Sequence, residues 1–103
     1  MVDFQLTEEQ KMIRDMAREF SEEVVLPHAE EWDREGTYPR DAITKAHELG
    51  LLNVTIPEKY GGAGMSTVDE MVICEELSRG DPGFGTASYH TMLASFPILT
   101  GGT

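Results

Sequence analysis

Cysteine is almost missing from this sequence. Cys74 stands alone, which excludes an internal disulfide and a cysteine-based metal site, and a reducing cytoplasm is the expected setting. Long apolar runs are missing too. None approaches the ~20 residues that cross a bilayer, so no membrane span is expected. The opening Met1-Val2-Asp3 lacks the basic-then-apolar order of a secretory signal, and Arg-rich, acid-poor transit character is absent. Basic residues are few: 8 Lys and Arg face 19 Asp and Glu, for a net charge of −11. Nucleic acids select basic faces, so they are not expected as partners.

Chemistry-bearing clusters are scarce as well. His28 has no second His or carboxylate spaced to complete a metal set, so it reads as structural or solvent-facing and no metal is expected. His90 has hydroxyl neighbours on its own helix, which is poor geometry for a nucleophile-base pair. Three glycines at Gly61, Gly62 and Gly64 lack both a following Lys-Ser/Thr and a preceding strand, so they form no phosphate loop. There is no internal repeat, low-complexity tract or interdomain linker, and 103 residues are expected to form one domain with a core of ordinary size.

What remains is helical punctuation. Thr7 and Gln10 predict a capping box, with Glu8 and Glu9 in the favourable first turn. Met12, Ile13, Met16, Ala17, Phe20 and Val24 recur on one helical face, and Pro27 stops or kinks the helix near Val25-Leu26. A short helix from His28 to Glu35, closed by Gly36, carries Trp32 as an anchor for a neighbouring helix. Thr37-Tyr38-Pro39 starts a third helix with Ile43, Ala46 and Leu49 as its buried side. Gly50 supplies a left-handed stop and Leu51 folds back on Ala46. Thr67-Val68-Asp69-Glu70 reads as a second capping box. The helix it opens, Val68 to about Arg79, is apolar nearly all round and wants burial on several sides, with Cys74 as a small buried hydrophobe. Gly80-Asp81-Pro82-Gly83 breaks the chain, and Asp81-Pro82 opens a last helix, about Pro82 to Phe96, that is almost free of charge.

Between the third and fourth helices lies the most specific stretch, Ile56-Pro57-Glu58-Lys59-Tyr60-Gly61-Gly62-Ala63-Gly64. Pro57 fixes its own φ and pushes Ile56 into extended geometry. The glycines are expected to carry the backbone through positive φ, making a hairpin between two pairs of helices. Together with Gly50-Leu51-Leu52 before it and Glu75-Glu76-Leu77-Ser78-Arg79 after it, this stretch resembles the N-terminal helical domain of the acyl-CoA dehydrogenases. Order and spacing match, and the resemblance runs from about Phe4 to the last residue.

The resemblance implies an all-α fold: a helical bundle that is the incomplete N-terminal domain of the acyl-CoA dehydrogenase fold, residues 1–103. Lacking would be its last helix, the middle β domain and the C-terminal helical domain. Thr103 then looks like the cap of a further helix. The family performs α,β-dehydrogenation of acyl-CoA thioesters: a carboxylate removes the α proton, flavin N5 takes the β hydride, and electrons usually leave to an electron-transfer flavoprotein. The base and the main FAD contacts belong to the other domains, so no catalytic and no cofactor-binding residue is expected here, Glu58 included, and the fragment alone should be inactive. The resemblance places Gly85, Thr86, Tyr89 and Leu93 along the helix that flanks the acyl slot. A strongly acidic segment suits the neutral acyl end of the substrate better than the coenzyme A phosphates. The complete protein is expected to be a homo-oligomer. Two other readings share these residues: a flavin oxidase or monooxygenase on the same fold, or a free-standing helical module for protein interaction.

Overall fold

The computed structural model describes residues 5–102, with the side chain of Thr91 excepted; the expectations that fall on Phe4 and Thr103 lie outside the described residues. Five α-helices follow one another: α1 (Glu8–Phe20), α2 (Ala29–Glu35), α3 (Arg40–Glu48), α4 (Thr67–Gly80) and α5 (Pro82–Gly101). No strand occurs among the described residues, and the fold is the all-α one expected. No helix among them is long and apolar enough to cross a membrane.

The caps explain most of the boundaries. Thr7 accepts the Gln10 N–H at 3.1 Å while the Gln10 side chain accepts the Thr7 N–H at 3.0 Å, closing the expected box. The second box lies one residue earlier than Thr67. Ser66, in extended geometry, is the cap, and Asp69 is its reciprocal partner; Thr67 is already helical. Sequence spacing alone allowed either hydroxyl, and the backbone dihedral selects Ser66. Asp81 caps α5 by accepting the N–H groups of Gly83 and Phe84, with Pro82 in the first turn. Gly36 and Gly50 end α2 and α3 at φ 64° and 76°, and the Leu51 N–H reaches back to the Ala46 carbonyl at 3.0 Å.

Pro27, expected to stop or kink its helix, and Pro97 both lie within helical turns. Ahead of Pro27 the chain widens into a π-helical turn over Ser21–Val25, then tightens into a 3-10 turn over Leu26–His28 that holds the proline. The helical path therefore continues into α2. Pro97 lies inside α5, which runs to Gly101 and not to Phe96. The Thr100 hydroxyl donates to the Phe96 carbonyl at 3.0 Å, a back-bond of the kind that accompanies helix bending.

The core gathers where α4 packs against both α1 and α5. Phe20, Val25, Ile73, Leu77 and Phe84 are buried there, each contributing ~1.5–3 kcal/mol from burial. Trp32 fulfils its anchoring role by stacking on Phe84, centroids 5.6 Å apart, and Phe84 in turn meets Phe20 at 6.1 Å. On α3 the buried residues are Ala42 and Ala46, with Leu49 turned outward at 48% exposure. Ile43, the third residue expected on this side, is partly buried against the core. On α4 one stripe stays open beside the faces that α1 and α5 cover. Val68 and Met71 on that stripe are 55% and 64% exposed, so part of the apolar surface of the helix is left without a partner among the described residues.

Two polar links fix α1 beside α4. Near their N-termini the Gln10 amide faces Asp69 and helps hold its carboxyl below the ordinary value. A little over two turns further, Arg18 clamps Glu76 with both carboxylate oxygens engaged, at 3.1 and 3.0 Å. The two links advance together along both helices, so α1 and α4 run parallel. Further along, Gly80 faces Ser21 and Val25, where an added Cβ would lie 3.1 Å from the Ser21 carbonyl oxygen and from Val25 Cγ1.

Candidate functional site

The expected site residues all lie on α5, a helix without a charged side chain. It packs against α4 and has the glycine loop beside it. Residues 54–65 fold back on themselves: the Met65 N–H donates to the Val54 carbonyl at 2.7 Å and the Gly64 N–H to the Ile56 carbonyl at 2.9 Å. Between them a 3-10 turn over Glu58–Tyr60 follows Pro57. Gly61 and Gly64 take the positive φ expected, at 89° and 64°. Gly62 does not. It is a point of close approach, where an added Cβ would collide with the Ile56 carbonyl and sit 2.5 Å from the Ile56 Cβ. Buried Val54 belongs to the core, and the Thr55 hydroxyl donates to Met92 Sδ at 3.4 Å. Pro57, Lys59 and Tyr60 share a groove with Ile98, Leu99 and Gly102. The stretch thus touches α5 at mid-length through Thr55 and faces its C-terminal turns across an open groove.

On α5 the four residues divide. Gly85 is buried against α4, where an added Cβ would lie 2.9 Å from the Ser78 Cβ and 3.1 Å from its Cα. Its role in this chain is to let the two helices touch. Thr86, Tyr89 and Leu93 share one open stripe, continued by Phe96. Tyr89 is 38% exposed, while Leu93 and Phe96 are more than half exposed. The Thr86 hydroxyl donates to the Pro82 carbonyl at 3.1 Å and presents only acceptor lone pairs outward. Buried Ser88 does the same with the Gly85 carbonyl at 2.9 Å. The stripe is neutral, apolar and accessible.

Acid-base machinery is not assembled on it. Glu58 is exposed at the loop tip, and His28 and His90 are exposed. Among the described residues no three His, Cys, Asp or Glu side chains converge to hold a metal ion. Cys74 is partly buried with its Sγ 4.0 Å from the Ser78 hydroxyl. The buried carboxylate is Glu76, neutralised by Arg18, with Arg79 a further 3.9 Å away. The hydrogen bond to Glu76, and then its charge, push the Arg18 guanidinium above its ordinary value. This pair escaped sequence reasoning, because its members stand 58 positions apart and neither breaks a local pattern. It accounts for part of the Glu75-Glu76-Leu77-Ser78-Arg79 motif: Glu76 ties down α1, Leu77 fills the core, and Ser78 meets Gly85.

Comparison with known proteins adds to this geometry. A family model described as "Acyl-CoA dehydrogenase, N-terminal domain" matches residues 7–103. The chain is 43% identical over 99 residues to a "Probable medium-chain specific acyl-CoA dehydrogenase 2, mitochondrial" of Caenorhabditis briggsae, covering 96% of this chain and 24% of that protein. It is 42% identical over 99 residues to a (2S)-methylsuccinyl-CoA dehydrogenase of Cereibacter sphaeroides, covering 95% and 18%. It is 42% identical over 97 residues to an isobutyryl-CoA dehydrogenase of Dictyostelium discoideum, covering 93% and 23%. A solved chain described under "Electron transferring flavoprotein of Acidaminococcus fermentans: Towards a mechanism of flavin-based electron bifurcation" superposes with a TM-score of 0.87 at 42% identity, covering 99% of this chain and 27% of that one. The chain thus spans about a quarter of the length of the relatives it matches, or less.

Proposed function

Because the chain belongs to the acyl-CoA dehydrogenase family, through its N-terminal domain, we propose that it forms one wall of the acyl slot in a flavin-dependent enzyme that dehydrogenates acyl-CoA thioesters between the α and β carbons. The observation that carries this reading is the open, uncharged stripe of Thr86, Tyr89 and Leu93 on α5. Such a surface matches a hydrocarbon chain and repels nothing in it, whereas the coenzyme A phosphates would meet a domain of net charge −11 and belong elsewhere. Gly85 acts behind this wall by seating α5 on α4.

FAD does not fit the residues present. Its diphosphate wants basic side chains or a convergent set of backbone donors, and the described part of α5 offers neither. The flavin contacts and the catalytic carboxylate are accordingly assigned to the middle and C-terminal domains, within the three quarters of the relatives' length that this chain does not span. The description of the solved neighbour names an electron transferring flavoprotein, which supports that kind of protein as electron acceptor. The wide exposed apolar surface supports a homo-oligomer.

Tyr89 decides the reading. A tyrosine on the stripe fills part of a slot, so the substrates expected are short or branched acyl groups. Pocket volume is worth ~1–3 kcal/mol per methylene. Tyr89→Ala in the full-length protein should move the optimum of a chain-length series upward by several carbons. If Tyr89 only packs, the substitution lowers thermal stability and leaves the profile where it was.

A further inference from the structure

Resting on the acyl-slot reading, we infer that Ser78 of α4 and Gly85 of α5 are a positioning pair: their contact sets how far α5 stands off α4, and so which acyl lengths the slot accepts. Gly85 is held from three sides. Its N–H donates to the Asp81 carbonyl at 3.0 Å, and its carbonyl accepts the buried Ser88 hydroxyl at 2.9 Å. Its third side meets Ser78, where an added Cβ would collide with the hydroxyl and lie 2.9 Å from the Ser78 Cβ. Gly85 does not take a positive φ, so glycine serves here for room and not for a turn. No side chain on the α5 side can give way at this point.

The contact lies beside the stripe it would position. Tyr89, one turn further along α5, borders a narrow space that Cys74, one turn back along α4, also lines. The two helices thus run antiparallel, and Tyr89 is the first large side chain of α5 beyond the Gly85 contact. Carbon atoms in ordinary contact stand about 3.5–4.0 Å apart, so a methyl at position 85 requires the helices to part by roughly half an ångström or more. Close-packed interiors transmit such a displacement and do not absorb it. Tyr89 and Leu93 ride on the same helix, so a slot that they line changes shape with it. One methylene of fit is worth about 10–200-fold in kcat/KM.

A chain-length series of kcat/KM on the full-length protein tests this with Gly85→Ala, Ser78→Gly and the double variant. Gly85→Ala should change the ratio between long and short acyl groups by about tenfold. Ser78→Gly should change it in the opposite sense. The double variant should return toward the parent ratio, because glycine at position 78 removes the Cβ and hydroxyl that the new methyl meets. A pair that only packs lowers Tm and leaves every ratio where it was, which overturns the inference. So does a double variant whose ratio is no nearer the parent than that of Gly85→Ala. Ser78→Gly introduces no clash, so it carries the test by itself where Gly85→Ala fails to fold. Tyr89→Ala, measured alongside, separates the two claims. A profile that moves with Tyr89→Ala and with none of the other variants overturns this inference and leaves the slot reading standing; a profile that no variant moves overturns both.

Discussion

At the scale of single residues, Gly61 and Gly62 look alike in the sequence and do different work. Gly61 carries a φ of 89° with nothing within 4 Å of an added Cβ, so Gly61→Ala should cost only the left-handed strain, ~1–2 kcal/mol. Gly62 has no such φ, but its Cβ would enter the Ile56 backbone, and the Gly64-to-Ile56 hydrogen bond must break to relieve it. Gly62→Ala should therefore lower Tm by more than Gly61→Ala, measured side by side by thermal melting; equal losses would mean the loop relaxes freely around position 62. The need for glycine was legible in the sequence, because turn chemistry is local. Its reason at position 62 was not, because that depends on where the Ile56 carbonyl ends up.

At the scale of elements, α1 and α4 are joined by two links of different character. Glu76 is buried, with a side chain 7% exposed, while Arg18 remains 42% exposed. Losing the arginine strands a buried carboxylate with only the more distant Arg79 for company, which is the costly way to break such a pair. Arg18→Ala should thus lower Tm more than the double variant Arg18→Ala/Glu76→Leu, in which the charge is gone as well. A double variant that melts lower than the single one would show that Glu76 is satisfied without Arg18. The other link responds to acid. Burial pushes the Asp69 carboxyl up, but hydrogen bonds from the Ser66 backbone, the Gln10 amide and the Ser66 hydroxyl outweigh it and hold the group below its ordinary value. A carboxyl whose pKa is lower folded than unfolded stabilises the fold above its unfolded pKa of about 3.9, and that contribution is lost as pH falls through the lower folded value. Acid melts should show this loss, and Asp69→Asn should flatten that limb; an unchanged acid limb would remove Asp69 from the linkage. Helix caps could be read to within a residue because hydroxyl and carboxylate stand three apart. The tolerance of Pro27 and Pro97 could not, since it depends on how the neighbouring turns rearrange.

At the scale of the whole molecule, two forces compete. Met12, Val68, Met71, Leu93, Phe96 and Ile98 are all more than half exposed, and exposed apolar side chains favour association. Against it stands a net charge of −11, which keeps copies apart through repulsion that salt screens. The 103-residue chain purified alone should be colourless, since the described residues form no cradle for a flavin, and it should self-associate. The balance makes the salt dependence informative. Repulsion between copies reaches about 10 Å at 0.1 M salt and about 3 Å at 1 M, whereas apolar contact is not weakened by added sodium chloride. Sedimentation at the two salt levels should therefore show the average mass rising with salt, along with dye binding to apolar surface that falls as the oligomer forms. Association driven by ion pairs would show the opposite salt trend, and a clean monomer under both conditions would mean that α4 and α5 cover their own apolar faces in solution.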